Sequence, residues 1–219
     1  MLVLDSSGSM RLDAAGVMEA ARSFVAALPE KDSLAVMIFS DKPRIVQDLS
    51  LDRRLSLAAI GQYRSAGGTA LYDAVGESAA RLEQVDGRRA IVVLTDGRDE
   101  NGPGTAPGSV RTMAQVSAQV KETASTVFAI GLGPKVDRLA LEALAQQSGG
   151  EAYFPENVSA LGTEYRRVLE DLRRRFVIRY NSTNNKRDGS WRTVEVRSRR
   201  EGVVITSQNG YRAPGKTEK

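Results

Sequence analysis

The chain has 219 residues, 41% of them hydrophobic, enough to bury the core of one doubly wound α/β domain with some chain left over. It contains no cysteine, which excludes disulfides, thiolate metal sites and cysteine nucleophiles, and no histidine, which excludes a Ser-His-Asp triad, the usual general base and nearly all zinc chemistry. The formal net charge of +4 is unevenly divided: residues 1–165 carry 16 basic against 21 acidic side chains and residues 166–219 carry 15 against 6, a split that marks either a basic tail for nucleic acid or anionic lipid or, as its alternating pattern favours, a solvated Arg-rich helix end and exposed strand faces.

Met1 to Leu4 is a short apolar run that stops at Asp5, Ser6, Ser7, Gly8 and Ser9, so a carboxylate and hydroxyls stand where a buried strand ends. In an open parallel sheet the strand C-termini converge on a crevice, and a loop there aims several oxygens at one point. Four residues are short for a central parallel strand, which leads us to expect an upstream portion, with which a signal peptide could have gone. The first residues have no basic region followed by a long apolar one, and no apolar stretch approaches membrane-spanning length.

Val17, Ala20, Ala21, Phe24, Val25 and Leu28 recur at helical spacing. Leu34 to Phe39 reads as a strand, and Arg44 to Leu49 as an antiparallel edge strand after the Asp41-Lys42-Pro43 turn. Leu55 to Ile60 predicts a short helix. The loop Gly67-Gly68-Thr69 leads into a helix from Ala70 to about Val85, stopped by Gly87. Ile91 to Leu94 is a continuous β-branched and apolar run, as expected of a strand buried on both faces, and it ends in Thr95-Asp96-Gly97.

Glycines and prolines then break residues 97–108, and Ser109 is expected to cap a helix carrying Val110, Met113, Ala114 and Val120. Thr126 to Ile130 predicts a strand. Val136, Leu139, Ala140, Ala143 and Leu144 mark a helix ended by Gly149-Gly150, Glu151 to Phe154 a short strand, and Leu161 to Leu172 a last helix. Alternation of this kind implies a three-layer α/β fold with a mostly parallel, doubly wound, Rossmann-like sheet over residues 1–175. Beyond it, Phe176 to Tyr180, Trp191 to Val196 and Val203 to Ser207 alternate like strands of a small antiparallel β appendage, expected over residues 176–214 and packed on the body, with Trp191 as its anchor and 215–219 as a frayed tail.

Three segments together carry the chemistry: D-x-S-x-S at Asp5, Ser7 and Ser9, then Thr69, then Asp96. In that order they resemble the von Willebrand factor type A domain and its metal-ion-dependent adhesion site. The stretches G-G-T-A-L-Y-D-A and V-L-T-D-G are similar to bacterial members, and R-D-G-S-W-R-T-V-E-V and N-G-Y-R-A-P to the C-terminal extension of a bacterial group of related proteins. The resemblance implies that Ser7, Ser9 and Thr69 supply direct oxygens, and that Asp5 and Asp96 coordinate directly or through water. At least one position is left for a partner's Asp or Glu.

Two carboxylates neutralise a divalent cation, and neutral hydroxyls favour hard ions, so the set suits Mg²⁺ first; Mn²⁺ could replace it, and Ca²⁺ would prefer more carboxylates. Gly8, Gly67 and Gly68 would let the loops approach one ion, although each alone reads as ordinary turn chemistry. Asp99, Glu100 and Asn101 form either an acidic rim or a solvated polar loop, and Arg98 either steers an acidic ligand or pairs with Asp99. Asp73 fits the first turn of its helix, where negative charge is favourable, and Tyr72 reads as packing.

The expected function is a metal-dependent protein-binding module for adhesion or interaction, without catalysis. The alternative is an adaptor subunit of an AAA+ ATPase assembly. A phosphohydrolase with Asp5 as nucleophile is disfavoured, because the signature loops hold no histidine and no lysine for a phosphoryl group. The basic C-terminal part lacks the aromatic interleaving of a nucleic-acid surface. The compartment stays open, with an extracytoplasmic or secreted placement expected ahead of a cytoplasmic one.

Overall fold

A computed structural model of the chain describes residues 1–175, 178, 180–203, 205 and 210–215. Six strands, β1 (Leu2–Asp5), β2 (Leu34–Phe39), β3 (Pro43–Ser50), β4 (Arg89–Thr95), β5 (Ser125–Gly131) and β6 (Ala152–Tyr153), form one sheet in the order β3-β2-β1-β4-β5-β6. All pairings are parallel except β2 with β3, so the Asp41-Lys42 turn makes an antiparallel edge as expected. Six helices accompany them: α1 (Ala14–Ala27), α2 (Arg53–Ile60), α3 (Leu71–Leu82), α4 (Met113–Glu122), α5 (Arg138–Gln147) and α6 (Leu161–Arg174). None of the described helices is long and apolar enough to cross a membrane.

Strand periodicity explains the layers. Leu2, Leu4, Val36, Ile38, Val92, Leu94, Phe128 and Ile130 point to one face and pack with Val17 and Phe24 of α1, Ile60 of α2 and Tyr165 and Val168 of α6. Met1, Val3, Met37, Phe39, Ile91, Val93, Val127 and Ala129 point to the other, against Val75 of α3, Val116 of α4 and Leu141 of α5. Both faces of the central strands are covered, which is why those strands read as unbroken apolar runs rather than alternating ones. β1 lies between β2 and β4, in register Leu2↔Val36 and Leu2↔Val92, so the C-terminal ends of β1 and β4 are neighbours.

Two expectations need correction. Ser109 does not cap a helix: its hydroxyl donates to Asp99 and accepts the Asp73 N–H, while α4 begins four residues later on a capping box in which Thr112 Oγ1 accepts from the Gln115 N–H and Gln115 accepts from the Thr112 N–H. Replacing Thr112 by alanine is expected to lower stability by about 1 kcal/mol, read by urea unfolding; an unchanged midpoint would show that the box contributes nothing.

The appendage is also arranged differently. Trp191–Thr193 (β7) pairs antiparallel with Gly210–Arg212 (β8), and Val194, Glu195 and Val196 continue no strand. Of the strands expected at 176–180 and 203–207, only Ile178, Tyr180, Val203 and Ile205 are among the described residues, and none is in a strand; the rest, like residues 216–219 of the expected tail, lie outside them. Trp191 remains 42% exposed and lays its ring over the backbone of Gly210, where a Cβ would stand 2.7 Å from the indole. Arg212 reaches Glu122 of α4 at 3.5 Å.

Candidate metal centre

Asp5 is the last residue of β1 and is fully buried. One carboxylate oxygen accepts the Ser7 N–H at 2.7 Å and the other the Thr95 hydroxyl at 2.5 Å, while the Tyr63 hydroxyl donates to the Asp5 carbonyl. Ser7 Oγ and Ser9 Oγ stand 3.0 Å apart, and Ser9 Oγ donates to Asp96 Oδ1 at 2.8 Å. Asp5, Ser7, Ser9 and Asp96 are therefore joined in one hydrogen-bonded chain across the ends of β1 and β4.

Thr69 is brought to the same edge by its backbone. Its N–H donates to the Glu100 carbonyl at 2.8 Å, and the loop before it is stitched to the first motif by Ala66 N–H to Ser6 O at 2.8 Å and Gly8 N–H to Gly67 O at 2.9 Å. Thr69 Oγ1 faces Gly97, the residue after Asp96, where a Cβ would lie 3.4 Å from that hydroxyl. Gly67 holds φ +77° beside Asp41, and Gly68 donates its N–H to the Asp41 carboxylate at 2.7 Å. Gly8, in contrast, needs neither positive φ nor an abnormally close approach.

The electrostatics are those of an under-neutralised pair. Burial pushes the Asp5 carboxyl up to about 7, against the hydrogen bonds from Thr95 and Ser7 and with a further push from Asp96. Burial also raises Asp96, opposed by the Ser9 hydrogen bond and, more weakly, by Lys135. Among the described residues no salt bridge reaches either carboxylate. Nor does any group of three or more His, Cys, Asp or Glu side chains converge there, so a cation at this edge would need the hydroxyls. Two desolvated carboxylates served only by hydroxyl and amide donors fit a hard divalent cation, which would supply the missing positive charge.

Thr95 and Tyr63 are the positioning residues that sequence reasoning missed. Thr95 stands next to Asp96 in the quoted motif, but its contact with Asp5 depends on strand register; Tyr63 carries no sequence signal for its role. The residues expected as a rim behave as loop staples. Asp99 accepts from the Tyr72 N–H and from Ser109, and Asn101 Oδ1 accepts from Thr105 and Ala106 N–H groups. Asp73 sits in the first turn of α3, as expected, and also accepts from the Val110 and Arg111 N–H groups. Arg98 is exposed and makes no salt bridge with Asp99.

Comparison with known proteins identifies the fold. The family model for the von Willebrand factor type A domain matches residues 1–167. Similar solved structures include a von Willebrand factor type A protein from Catenulispora acidiphila (21% identity, TM-score 0.67, covering 76% of this chain and 40% of that one). A second is an aerotolerance-related membrane protein from Bacteroides fragilis, solved with multiple mutations to serines (16%, 0.62, 80% and 98%). A third is proximal thread matrix protein 1 from the mussel byssus, with a zinc-occupied MIDAS motif (18%, 0.64, 77% and 46%). The chain thus spans about two fifths of the Catenulispora protein. At these identities the likeness shows the fold alone. No curated protein matches the chain.

Proposed function

The chain belongs to the von Willebrand factor type A domain family, and from that premise we propose that it is a metal-dependent protein-binding module. In this reading Asp5, Ser7, Ser9, Thr69 and Asp96 hold one divalent cation, Mg²⁺ first, and an Asp or Glu of a partner protein completes its coordination. The observation that carries it is the hydrogen-bonded run from Asp5 through Ser7 and Ser9 to Asp96, which holds a buried and a half-buried carboxylate together with no salt bridge to either among the described residues.

A bound cation supplies the charge that draws an incoming carboxylate. The protein's own groups set the rest: Thr95 and the Ser7 N–H orient Asp5, Tyr63 pins its backbone, and Glu100 holds Thr69 through its main chain. The hydroxyls are neutral, so the site keeps net attraction for an anion that a cage of four carboxylates would cancel.

The test uses the whole chain and a peptide with a single Glu among Gly and Ser. Calorimetry is expected to show one Mg²⁺ bound, and the immobilised peptide to retain the protein in Mg²⁺ but not in EDTA. Its Glu→Gln version should fail in both. Absence of Mg²⁺ binding, or retention insensitive to EDTA, would overturn the reading.

A further inference from the structure

We propose that the rim of this site selects a partner segment in which the coordinating carboxylate is flanked by further acidic residues and by an apolar side chain. This inference rests on the metal-bridged reading and specifies its partner. Loops at the C-terminal edge of the sheet each carry an exposed cation: Arg11 after β1, Lys42 after β2, Arg64 in the loop before Thr69, Arg98 after Asp96 and Lys135 after β5. Among the described residues none of these five has a salt-bridge partner. Lys135 lies near enough to Asp96 to act on its charge.

Most acids of the same edge are already engaged as hydrogen-bond acceptors. Asp41 takes the Gly68 N–H, Asp99 takes Ser109 and the Tyr72 N–H, and Asp137 takes the Ala140 N–H at the start of α5. Asp13, Glu100 and, after β6, Glu156 remain, against the five cations. Of the five cations only Arg64 is hydrogen-bonded through its side chain among the described residues, donating to the Gly61 and Tyr63 carbonyls, which leaves its charge in place. The site itself is acidic, so cations around it oppose a bound metal's retention and favour an anion arriving from outside.

The same edge also carries exposed apolar side chains. The three most exposed large hydrophobic residues of the described chain are Leu12 at 95%, Val110 at 94% and Leu139 at 79%. They belong to the segments following β1, β4 and β5, the three strands whose C-terminal ends carry or adjoin the candidate ligands. A single exposed leucine needs no explanation, but three such residues sharing one edge with unpaired cations fit an acidic segment that also buries an aliphatic side chain. Charge complementarity selects this occupant over a second copy, whose same edge would bring the same cations against them.

The experiment compares three peptides on the whole chain: one Glu among Gly and Ser; the same Glu flanked by Asp residues and a Leu; and the flanked sequence with Gln in place of the central Glu. In Mg²⁺ and low salt the flanked peptide is expected to bind about tenfold more tightly than the neutral one, with the preference shrinking as salt screens it. Combined Arg11→Glu, Arg98→Glu and Lys135→Glu should erase the charge part of that preference without weakening Mg²⁺ binding, since added negative charge favours a cation. Leu12→Ser with Val110→Ser should erase the apolar part. Equal binding of the flanked and neutral peptides in Mg²⁺ would overturn the rim assignment and leave the metal bridge standing. Equal binding of the Glu and Gln flanked peptides, undiminished in EDTA, would remove the metal bridge and leave the rim; no binding of any peptide counts against both.

Discussion

Asp5→Asn is expected to abolish Mg²⁺ binding and, in the absence of metal, to make the protein more stable above pH 7. Asparagine keeps the shape of Asp5, its oxygen can accept the Ser7 N–H, and its amide can donate to the Thr95 hydroxyl, which turns to accept. Only the charge goes. In the folded chain burial raises the Asp5 carboxyl to about 7 from an ordinary value of 3.8. Between those values the folded state holds a proton that the unfolded state has released, so stability falls as pH rises from about 4 to 7 and levels off beyond. The loss is on the order of 4 kcal/mol. The variant cannot ionise, so it should not show this loss, and denaturant unfolding in EDTA between pH 4 and 8 reads the difference. Mg²⁺ should stabilise the natural chain by mass action and leave the variant unmoved. A variant that kept the natural pH profile, or that still bound Mg²⁺, would sink the account.

This result would identify a site that is stressed in order to work. A buried carboxylate with no cationic neighbour is a poor choice for stability and a good one for capturing a cation. That contrast separates fully buried Asp5 from Asp73, which is only partly buried and, against the upward push of that burial, is held below the usual carboxylate range by the Val110 and Arg111 N–H groups and the Arg111 guanidinium. One acid is neutralised by the chain and serves as a staple. The other, in the proposed reading, is left for an ion.

Much of the body was legible because strand burial leaves a simple trace. Leu34 to Phe39 is β2 without adjustment, and Ile91 to Leu94 lies inside β4, since strands covered on both faces leave unbroken apolar runs. The gathering of Asp5, Ser7, Ser9 and Asp96 followed from placing two motifs at neighbouring strand ends. What sequence reasoning missed depends on register or distance. Thr95 meets Asp5 because Leu4 aligns with Leu94, and Tyr63 comes from 58 residues away. Ser109 misled because a serine before an apolar residue looks like a cap; the T-x-x-Q pattern at Thr112 and Gln115 was the better signal. The appendage was hardest, since β7 has only three residues and its packing depends on Trp191 covering a glycine rather than on an alternating core.

Gly68→Ala is expected to dismantle the Thr69 side of the centre. A Cβ at Gly68 would stand 2.6 Å from the Gly102 amide nitrogen and 2.7 Å from the Asn101 carbonyl carbon and the Glu100 oxygen. All three are backbone atoms, so no side chain can swing aside; the two loops must part. Parting them breaks the Thr69 N–H bond to Glu100, which holds the Thr69 hydroxyl beside Gly97. Overpacking of this kind costs about 1–3 kcal/mol, and displacing one of five oxygen donors should weaken Mg²⁺ by about tenfold or more, as loss of a ligand's support does elsewhere. The neighbouring Gly102→Ala provides the contrast. Its Cβ would lie 3.7 Å from the Gly68 nitrogen, an ordinary contact, so both stability and Mg²⁺ affinity should stay close to those of the natural chain. Urea unfolding and calorimetry on the two variants decide the matter: equal metal affinity in both would remove Thr69 from the ligand set, while equal loss in both would show that the 97–108 loop as a whole, and not the approach at Gly68, governs the site.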